Sequence, residues 1–148
     1  LYSKSNSTVI SMDKERVLAL DYGSKRIGVA VSDPLGITAQ TRPFIANNNQ
    51  ALEEIHSLIQ DNDIKRLLIG LPLHTSGGQS KKSEEVTLFA ERIKSNTAIS
   101  VEFVDERYST VAATKQLDAL GVNRKKQRNK IDSQAAAFLL QGYLDRSL

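Results

Sequence analysis

The 148-residue sequence has no cysteine, no tryptophan and only one methionine. Without cysteine the chain cannot form a disulfide framework, a thiolate nucleophile or a cysteine-ligated zinc site. Its longest apolar runs, such as residues 17–20 and 67–69, are far shorter than the roughly 20 residues that cross a bilayer. These absences exclude several classes of protein, and they predict a soluble, cytoplasmic protein without a membrane partner.

Residues 1–12 differ in composition from the rest of the chain. The first 11 residues are rich in serine and contain no acidic residue. We interpret residues 1–12 as a flexible tail and residues 13–148 as a single domain, because 40% hydrophobic and 25% charged residues are near the globular average. A serine-rich segment without acids also occurs in organelle transit peptides, so an organelle is the alternative location.

After Met12, apolar segments alternate with amphipathic segments. The predicted strands are residues 16–20, 27–32, 36–44, 65–69 and 99–104. The predicted helices cover residues 51–60, 86–93, 111–120 and 131–144. Short connections favour an antiparallel meander for the first three strands, whereas the later alternation of strands and helices favours parallel pairing. The order predicts an α/β fold with a mixed five-stranded sheet flanked by helices.

Acidic residues directly follow two of the predicted strands. Asp21 follows the first strand, and Asp105 and Glu106 follow the fifth. Functional groups in open α/β sheets gather outside the carboxyl ends of parallel strands, and Asp132 can reach that edge from the last predicted helix. Carboxylates that converge repel one another unless cations lie between them, and oxygen ligands favour Mg²⁺ or Mn²⁺ over zinc. Two such ions about 4 Å apart would bind the attacking water and the leaving oxygen of a phosphodiester.

Each of these acids also has a purely structural interpretation. Asp21 precedes a Tyr-Gly pair and can be a turn residue. Asp132 can be only the N-cap of the last helix, a position that aspartate favours, and the Asp105-Glu106 pair can lie in a solvated loop. The predicted topology, which brings distant acids to one sheet edge, favours a shared site.

Basic residues are concentrated between the last two predicted helices. Five of them lie within seven positions and are called the basic cluster here: Arg124, Lys125, Lys126, Arg128 and Lys130. The other 141 residues contain 15 basic and 17 acidic residues, a net charge of −2, so the basicity of the chain is local. The cluster is either a phosphate-contacting surface or a solvated lysine-rich loop. No aromatic residue interleaves with it, which favours structured RNA or branched DNA over stacked single strands as a partner.

Several motifs together resemble those of the YqgF/RuvX family. They occur in order as DYGSKRIGVAVSD at 21–33, GLPL at 70–73, DERYST at 105–110, the basic cluster, and DSQAA at 132–136. The matches span residues 16 to about 145. The resemblance implies a ribonuclease H-like fold and a nuclease that processes the 5′ end of pre-16S rRNA in ribosome biogenesis. Resolution of Holliday junctions, as by the related resolvase RuvC, is the alternative.

The resemblance also implies roles for the acids. Asp21 and Asp132 carry over as catalytic, metal-binding carboxylates. RuvC-like enzymes hold the middle acid on the strand beside the first, but here that strand ends in Gly-Leu-Pro. The middle acid must then be Asp105 or Glu106, and the Asp-Glu-Arg motif of the family favours Glu106. Strand alternation is not expected to distinguish the two, because a strand buried on both faces has no clear polar side.

The remaining motif residues have physical roles to test. Gly23 and Gly28 would let the backbone approach a phosphate closely, although a tight hairpin turn explains Gly23 equally well. Arg26 and Arg107 lie beside the proposed acids, where they could hold a phosphate or neutralise the carboxylates.

Two other functional classes fit parts of the sequence. The same fold could serve as a catalytically silent nucleic-acid-binding module, but retention of all three carboxylates favours the enzyme. An actin-like ATPase shares the Asp-x-Gly turn, yet it needs two domains around the nucleotide and this chain has residues for one. Both a monomer and a homodimer are compatible with the sequence, since only junction resolution favours a symmetric dimer.

Overall fold

The computed structural model describes residues 15–71, 81–105 and 124–146, and within the last range it describes side chains only from residue 134 onward. The predicted tail at residues 1–12 and the predicted helix at residues 111–120 lie outside the described residues. None of the described helices is long and apolar enough to cross a membrane.

The described part of the chain contains one five-stranded sheet and three helices. The strands are β1 (Arg16–Tyr22), β2 (Arg26–Ser32), β3 (Ala39–Ala46), β4 (Ile64–Leu71) and β5 (Ser100–Asp105), and the helices are α1 (Ala51–Asp61), α2 (Lys81–Lys94) and α3 (Arg124–Arg146). The strand order is β3-β2-β1-β4-β5, antiparallel from β3 to β1 and parallel from β1 to β5. The predicted mixed sheet with an antiparallel meander is confirmed.

Strand β3 begins at Ala39 rather than at the predicted Gly36. The preceding residues form a turn, in which Asp33 Oδ1 accepts hydrogen bonds from the backbone N–H groups of Ile37 (2.7 Å) and Thr38 (2.9 Å). Gly36 has a φ of 71°, a conformation that glycine adopts readily. Residues 36–38 therefore belong to a turn, although their apolar alternation predicted a strand.

Helix α3 begins at Arg124, seven residues before the predicted start at Ile131. Residues 124–130 contain no proline or glycine, and arginine, lysine and glutamine are good helix formers, so the helix extends back through the basic cluster. The expectation that the cluster forms a loop between two helices is wrong. Asp132 lies inside this helix, so its interpretation as an N-cap is wrong as well.

The two faces of the sheet pack against different helices. One face, called the α1/α2 face, buries large aliphatic residues against those helices, among them Leu18, Leu20, Ile27, Val29, Val31, Leu67 and Ile69. The other, called the α3 face, buries smaller residues against α3, and its cluster is Val17, Ala19, Ala30, Leu68, Ala136, Ala137, Leu139, Leu140 and Leu144. This division assigns each strand position to one side of the sheet.

Gln141 attaches the C-terminal part of α3 to edge strand β3. Its side-chain Oε1 accepts a hydrogen bond from the Ala39 backbone N–H at 3.0 Å, and its Nε2 donates to the Ile37 carbonyl at 2.8 Å. An edge strand presents backbone groups that no neighbouring strand can pair, and Gln141 provides a partner for the Ala39 N–H of β3 and for the Ile37 carbonyl of the preceding turn. The contact fixes the end of α3 that lies at the amino end of β1, because Ala39 pairs with Ser32 and the Ser32 hydroxyl accepts from the Val17 N–H at 2.8 Å.

Candidate active site at the carboxyl end of strand β1

Asp21 lies near the carboxyl end of β1, on the α3 face of the sheet. Its neighbours Leu20 and Tyr22 pack against the α1/α2 cluster, and the Tyr22 ring lies 4.9 Å from that of Phe89 on α2, measured between centroids. Successive side chains of a strand point to opposite faces, so Asp21 lies on the same face as Ala19. The predicted turn-residue interpretation does not apply, since Asp21 is a paired strand residue.

Glycines occupy the sheet positions on both sides of Asp21. Gly28 of β2 is its direct partner in the antiparallel pair. On β4, Leu20 pairs with Ile69, so the next residue along that strand, Gly70, lies beside Asp21. Both glycines are buried. No side chain therefore flanks Asp21 within this row of the sheet, where neighbouring Cβ atoms are normally about 4.5–5.5 Å apart.

Asp105 lies on the opposite side of the sheet from Asp21. Within β5, Val104 packs in the α3 cluster and Val101 packs against the α1/α2 cluster. Alternation then places Asp105 on the α1/α2 face. The expectation that this strand is buried on both faces is wrong, since none of its residues is fully buried. Its two sides contact different helices, so alternation assigns a face to Asp105. Glu106 itself lies outside the described residues, as does Arg107.

The basic cluster lies at the end of α3 that is remote from the Gln141 contact. The helix is attached near Gln141 to the amino end of β1, and Ala136 and Leu140 belong to the same cluster as Ala19 and Leu68. Position 128 is 13 residues before Gln141, which is roughly 20 Å along the helix at 1.5 Å per residue.

Asp132 is one helical turn before Ala136, whose side chain is buried in the α3 cluster. Positions i and i+4 share a helix face, so position 132 belongs to the sheet-facing side of α3. The side chains of Asp132 and of the whole basic cluster lie outside the described part of the structure. Among the residues whose side chains are described, no three acids or histidines are grouped in a way that could hold a metal ion.

Two of the predicted phosphate-contacting residues have structural roles. The Arg26 guanidinium carbon lies 5.1 Å from the centre of the Phe44 ring, a cation–π contact that holds the arginine over β3. A Cβ atom added to Gly23 would lie 2.5 Å from the carbonyl oxygen of Arg26, so the β1–β2 turn itself requires glycine. The turn explanation of Gly23 is thereby confirmed, and Gly28 is the glycine that borders Asp21.

A groove of 320 Å³ lies beside the carboxyl end of β1, next to the side chain of Tyr22. Its other lining residues are Ser24, Lys81, Lys82 and Glu85, and Lys81 is exposed. The two lysines begin α2, about 40 positions before the basic cluster. Because Tyr22 and α2 belong to the α1/α2 face, the groove lies across the sheet from Asp21.

The RuvX family, described as "Holliday junction resolvase", matches this chain over residues 15–146. The chain belongs to the RuvX family. Two bacterial relatives are named as candidate pre-16S rRNA nucleases. The one from Sulfurihydrogenibium sp. (strain YO3AOP1) is 44% identical over 133 residues, 88% of this chain and 90% of the relative. The one from Clostridioides difficile (strain 630) is 42% identical over 132 residues, 88% of this chain and 94% of the relative.

Solved structures share the fold of this RuvX family member at low sequence identity. RuvC of T. thermophilus in complex with a Holliday junction substrate superposes with a TM-score of 0.53 at 14% identity, covering 90% of this chain and 96% of RuvC. The Holliday junction resolvase of fowlpox virus gives a TM-score of 0.53 at 14% identity, covering 90% of this chain and 99% of the resolvase. The ribonuclease H-like fold and the family resemblance, both expected from the motifs, are confirmed.

The sequence analysis missed Gly70 as a neighbour of Asp21, and it missed the groove that Lys81 and Lys82 line on the other face. Gly70 belongs to the Gly-Leu-Pro motif, which drew attention only because it lacks a carboxylate. Its position beside Asp21 depends on the pairing of β1 with β4, and strand periodicity contains no information on that pairing. Lys81 and Lys82 are ordinary surface lysines in the sequence, and only the fold brings them to the end of β1.

Proposed function

We propose that this protein is a divalent-metal-dependent nuclease that hydrolyses a phosphodiester bond during 5′-end processing of pre-16S rRNA, in the cytoplasm or in an organelle with its own ribosomes. Membership of the RuvX family supports hydrolytic nuclease chemistry, and the names of the relatives support the rRNA substrate. The observation that carries the proposal is the position of Asp21, at the carboxyl end of a parallel strand, between two glycines and on the face covered by α3.

The catalytic residues of the proposal are Asp21, Glu106 and Asp132. Asp21 and position 132 belong to the two surfaces that pack together, the α3 face of the sheet and the sheet-facing side of α3. Glu106 follows Asp105, which lies on the opposite face, so Glu106 is preferred to Asp105 as the third carboxylate. No side chain flanks Asp21 within its row of the sheet.

Carboxylate oxygens of this kind fit Mg²⁺ or Mn²⁺, and the three acids would hold two ions. Bound cations would neutralise the carboxylates and stabilise the negative charge that develops on the phosphate. The chain's own residues orient the substrate. Arg26, held over Phe44, and Arg107 would contact phosphate oxygens near the scissile bond, and water would be the nucleophile.

The basic cluster would bind phosphates of structured RNA on one side of the scissile bond. The cluster forms the first turns of α3, which would lie over nucleic acid that runs across the Asp21 end of the sheet. Each neutralised phosphate releases counterions, so the logarithm of the affinity should fall linearly with the logarithm of the salt concentration.

Replacing Arg124, Lys125 and Lys126 together by alanine should reduce this salt slope by about 2 to 3, which corresponds to three lost phosphate contacts. The matched control replaces Lys65, Arg92 and Lys94 by alanine. These substitutions remove the same charge at the opposite end of the sheet, near the start of β4 and the end of α2. Equal salt slopes for the two triple variants, measured by fluorescence anisotropy, would exclude the basic cluster from the interface.

The proposed function is tested by cleavage of a panel of pre-16S rRNA fragments and four-way DNA junctions with Mg²⁺ or Mn²⁺. Asp21→Asn should lower the rate by at least about 10³-fold, because a neutral amide cannot replace a carboxylate that holds cations. Asp61→Asn, an exposed position at the end of α1, is the matched control and should cleave like the wild type.

The outcomes separate the candidate functions. Equal cleavage by wild type and Asp21→Asn would refute the assigned site. Cleavage of junctions but not of rRNA would favour the Holliday junction resolvase, the activity in the family description, and light scattering should then find a dimer. Binding without cleavage under any metal condition would indicate the silent nucleic-acid-binding module.

A further inference from the structure

The turn between β1 and β2 is held by Asn47, the residue that follows β3. Its side-chain Nδ2 donates a hydrogen bond to the Gly23 carbonyl at 2.8 Å, and its backbone N–H donates to the Lys25 carbonyl at 3.0 Å. The Lys25 carbonyl belongs to the peptide unit that also contains the Arg26 N–H. Gly23, on the other side of the turn, lies so close to the Arg26 carbonyl that only glycine fits there. Asn47 therefore fixes both sides of the turn from which the Arg26 side chain starts.

Arg26 lies on the same face of the sheet as Asp21. Ile27, the next residue of β2, packs in the α1/α2 cluster, so alternation places Arg26 on the α3 face. Asp21 pairs with Gly28, two residues along β2, which makes Arg26 a diagonal neighbour of Asp21 at roughly 7–8 Å, within reach of a long side chain. The guanidinium is held over the Phe44 ring. The backbone of the turn thus determines from where Arg26 can approach a phosphate bound at Asp21.

From these contacts we infer that Asn47 is a positioning residue of the nuclease site. By holding the turn at residues 23–26 in one conformation, it places the Arg26 guanidinium for contact with the phosphate beside the scissile bond. A contact that is ordered before the substrate arrives costs less conformational entropy when it forms. The inference deepens the proposed function and rests on it. In the sequence Asn47 is only the first of three consecutive asparagines, and the fold distinguishes it from Asn48 and Asn49.

A purely structural role would explain the same hydrogen bonds, and it predicts a different result. If Asn47 only stabilises the hairpin, loss of its side chain lowers the melting temperature and leaves the contribution of Arg26 to catalysis unchanged. If Asn47 positions Arg26, loss of its side chain lowers activity only in proteins that still contain Arg26, because the effect passes through that arginine. Residues that act through one another give non-additive double variants, so a double-mutant cycle separates the two roles.

The test measures kcat, KM and the melting temperature for wild type, Asn47→Ala, Arg26→Ala and the double variant on the best wild-type substrate. We expect kcat to fall by about 10²-fold in Arg26→Ala and by about tenfold in Asn47→Ala, with a smaller change in KM, as for a misplaced contact to the reacting group. When Arg26 is already alanine, adding Asn47→Ala should lower kcat by no more than about twofold. Asn47→Ser, whose shorter side chain loses the bond to Gly23, replaces Asn47→Ala in the cycle if the alanine variant does not fold.

Asn62→Ala is the matched control. The Asn62 Nδ2 also donates to a backbone carbonyl, that of Leu58 at 2.9 Å, and both asparagines are half-buried. Asn62 lies between α1 and the start of β4, at the opposite end of the sheet from Asp21. Its loss should lower the melting temperature about as much as Asn47→Ala does and leave kcat like that of wild type.

Two results would overturn the inference. One is a wild-type kcat in folded Asn47→Ala, and the other is an equal fold-loss of kcat from this substitution with and without Arg26. Failure of the proposed function looks different, because then the wild type cleaves no nucleic acid or Asp21→Asn cleaves as well as wild type. In that case the same cycle is measured as RNA affinity in EDTA by fluorescence anisotropy, where non-additive losses support the role of Asn47 and additive losses refute it.

Discussion

The two faces of the same sheet are built from very different residues. On the α1/α2 face, strands β1, β2 and β4 contribute buried leucine, isoleucine and valine. On the α3 face the same strands contribute Val17 and Leu68 together with the small residues Ala19, Ala30, Gly28 and Gly70 and the acid Asp21. Residues next to each other in sequence, such as Ile69 and Gly70, thus belong to surfaces of opposite character.

The two faces therefore have different roles, since one mainly stabilises the fold and the other carries the proposed active site. Large aliphatic residues on one face remove most apolar area from water and therefore contribute most of the hydrophobic stabilisation. Small residues on the other face allow α3 to pack closely on the sheet. A member of this family can then change residues around its site with little effect on the larger core, because the two groups of side chains do not touch across the sheet.

Ile69→Ala should have the largest effect on stability. Ile69 is fully buried on the α1/α2 face, and removing such a side chain typically costs about 2–5 kcal/mol. We expect this loss in urea unfolding, together with a nearly unchanged kcat per folded molecule. A large loss of kcat in folded Ile69→Ala would show that the two faces are not independent.

Gln141→Ala should have a smaller effect, because it removes hydrogen bonds at the half-buried end of α3. Loss of the contacts to Ala39 and Ile37 should lower the free energy of unfolding by about 1 kcal/mol. Gln60→Ala, at an exposed position of α1, serves as the control and should change stability much less. If the two variants had equal stability by chemical denaturation, Gln141 would not contribute to holding α3 against β3.

Asp33→Ala should have the smallest effect and one that depends on pH. The backbone N–H of Thr38, and less strongly that of Ile37, lowers the pKa of Asp33 below its usual value. The carboxylate therefore stabilises the fold above the unfolded-state pKa of about 3.9, and this contribution disappears as the pH falls through the lower folded-state value.

Wild type should be slightly more stable than Asp33→Ala at pH 7, and the difference should vanish at strongly acidic pH. Thermal unfolding of both proteins across the acid range measures it, with Asp61→Ala as an exposed control. A difference that grows on acidification would contradict the assigned hydrogen bonds.

Sequence patterns predicted the strands and helices well where a single apolar pattern ran through the whole element. The continuous apolar runs of β1 and β4 and the helical spacing of α1 required no tertiary information. The predicted start of β3 at Gly36 was wrong, because a turn organised by Asp33 competes there with strand alternation. The predicted start of α3 was also wrong, because the helix begins at Arg124 with charged residues and no apolar stripe. At both places the local sequence supports two structures about equally well, so the bounds predicted for β3 and α3 were wrong.

The amino-acid sequence by itself determined the order of strands and helices along the chain and the placement of Asp21 at a strand end, because hydrophobic periodicity and connection lengths are local properties. Only the tertiary structure decided that Asp105 is on the other face from Asp21 and that Gly70 lies beside it. Those relations depend on strand register and on which helix covers each face. Both are set by contacts between residues far apart in the chain, and no local pattern contains them.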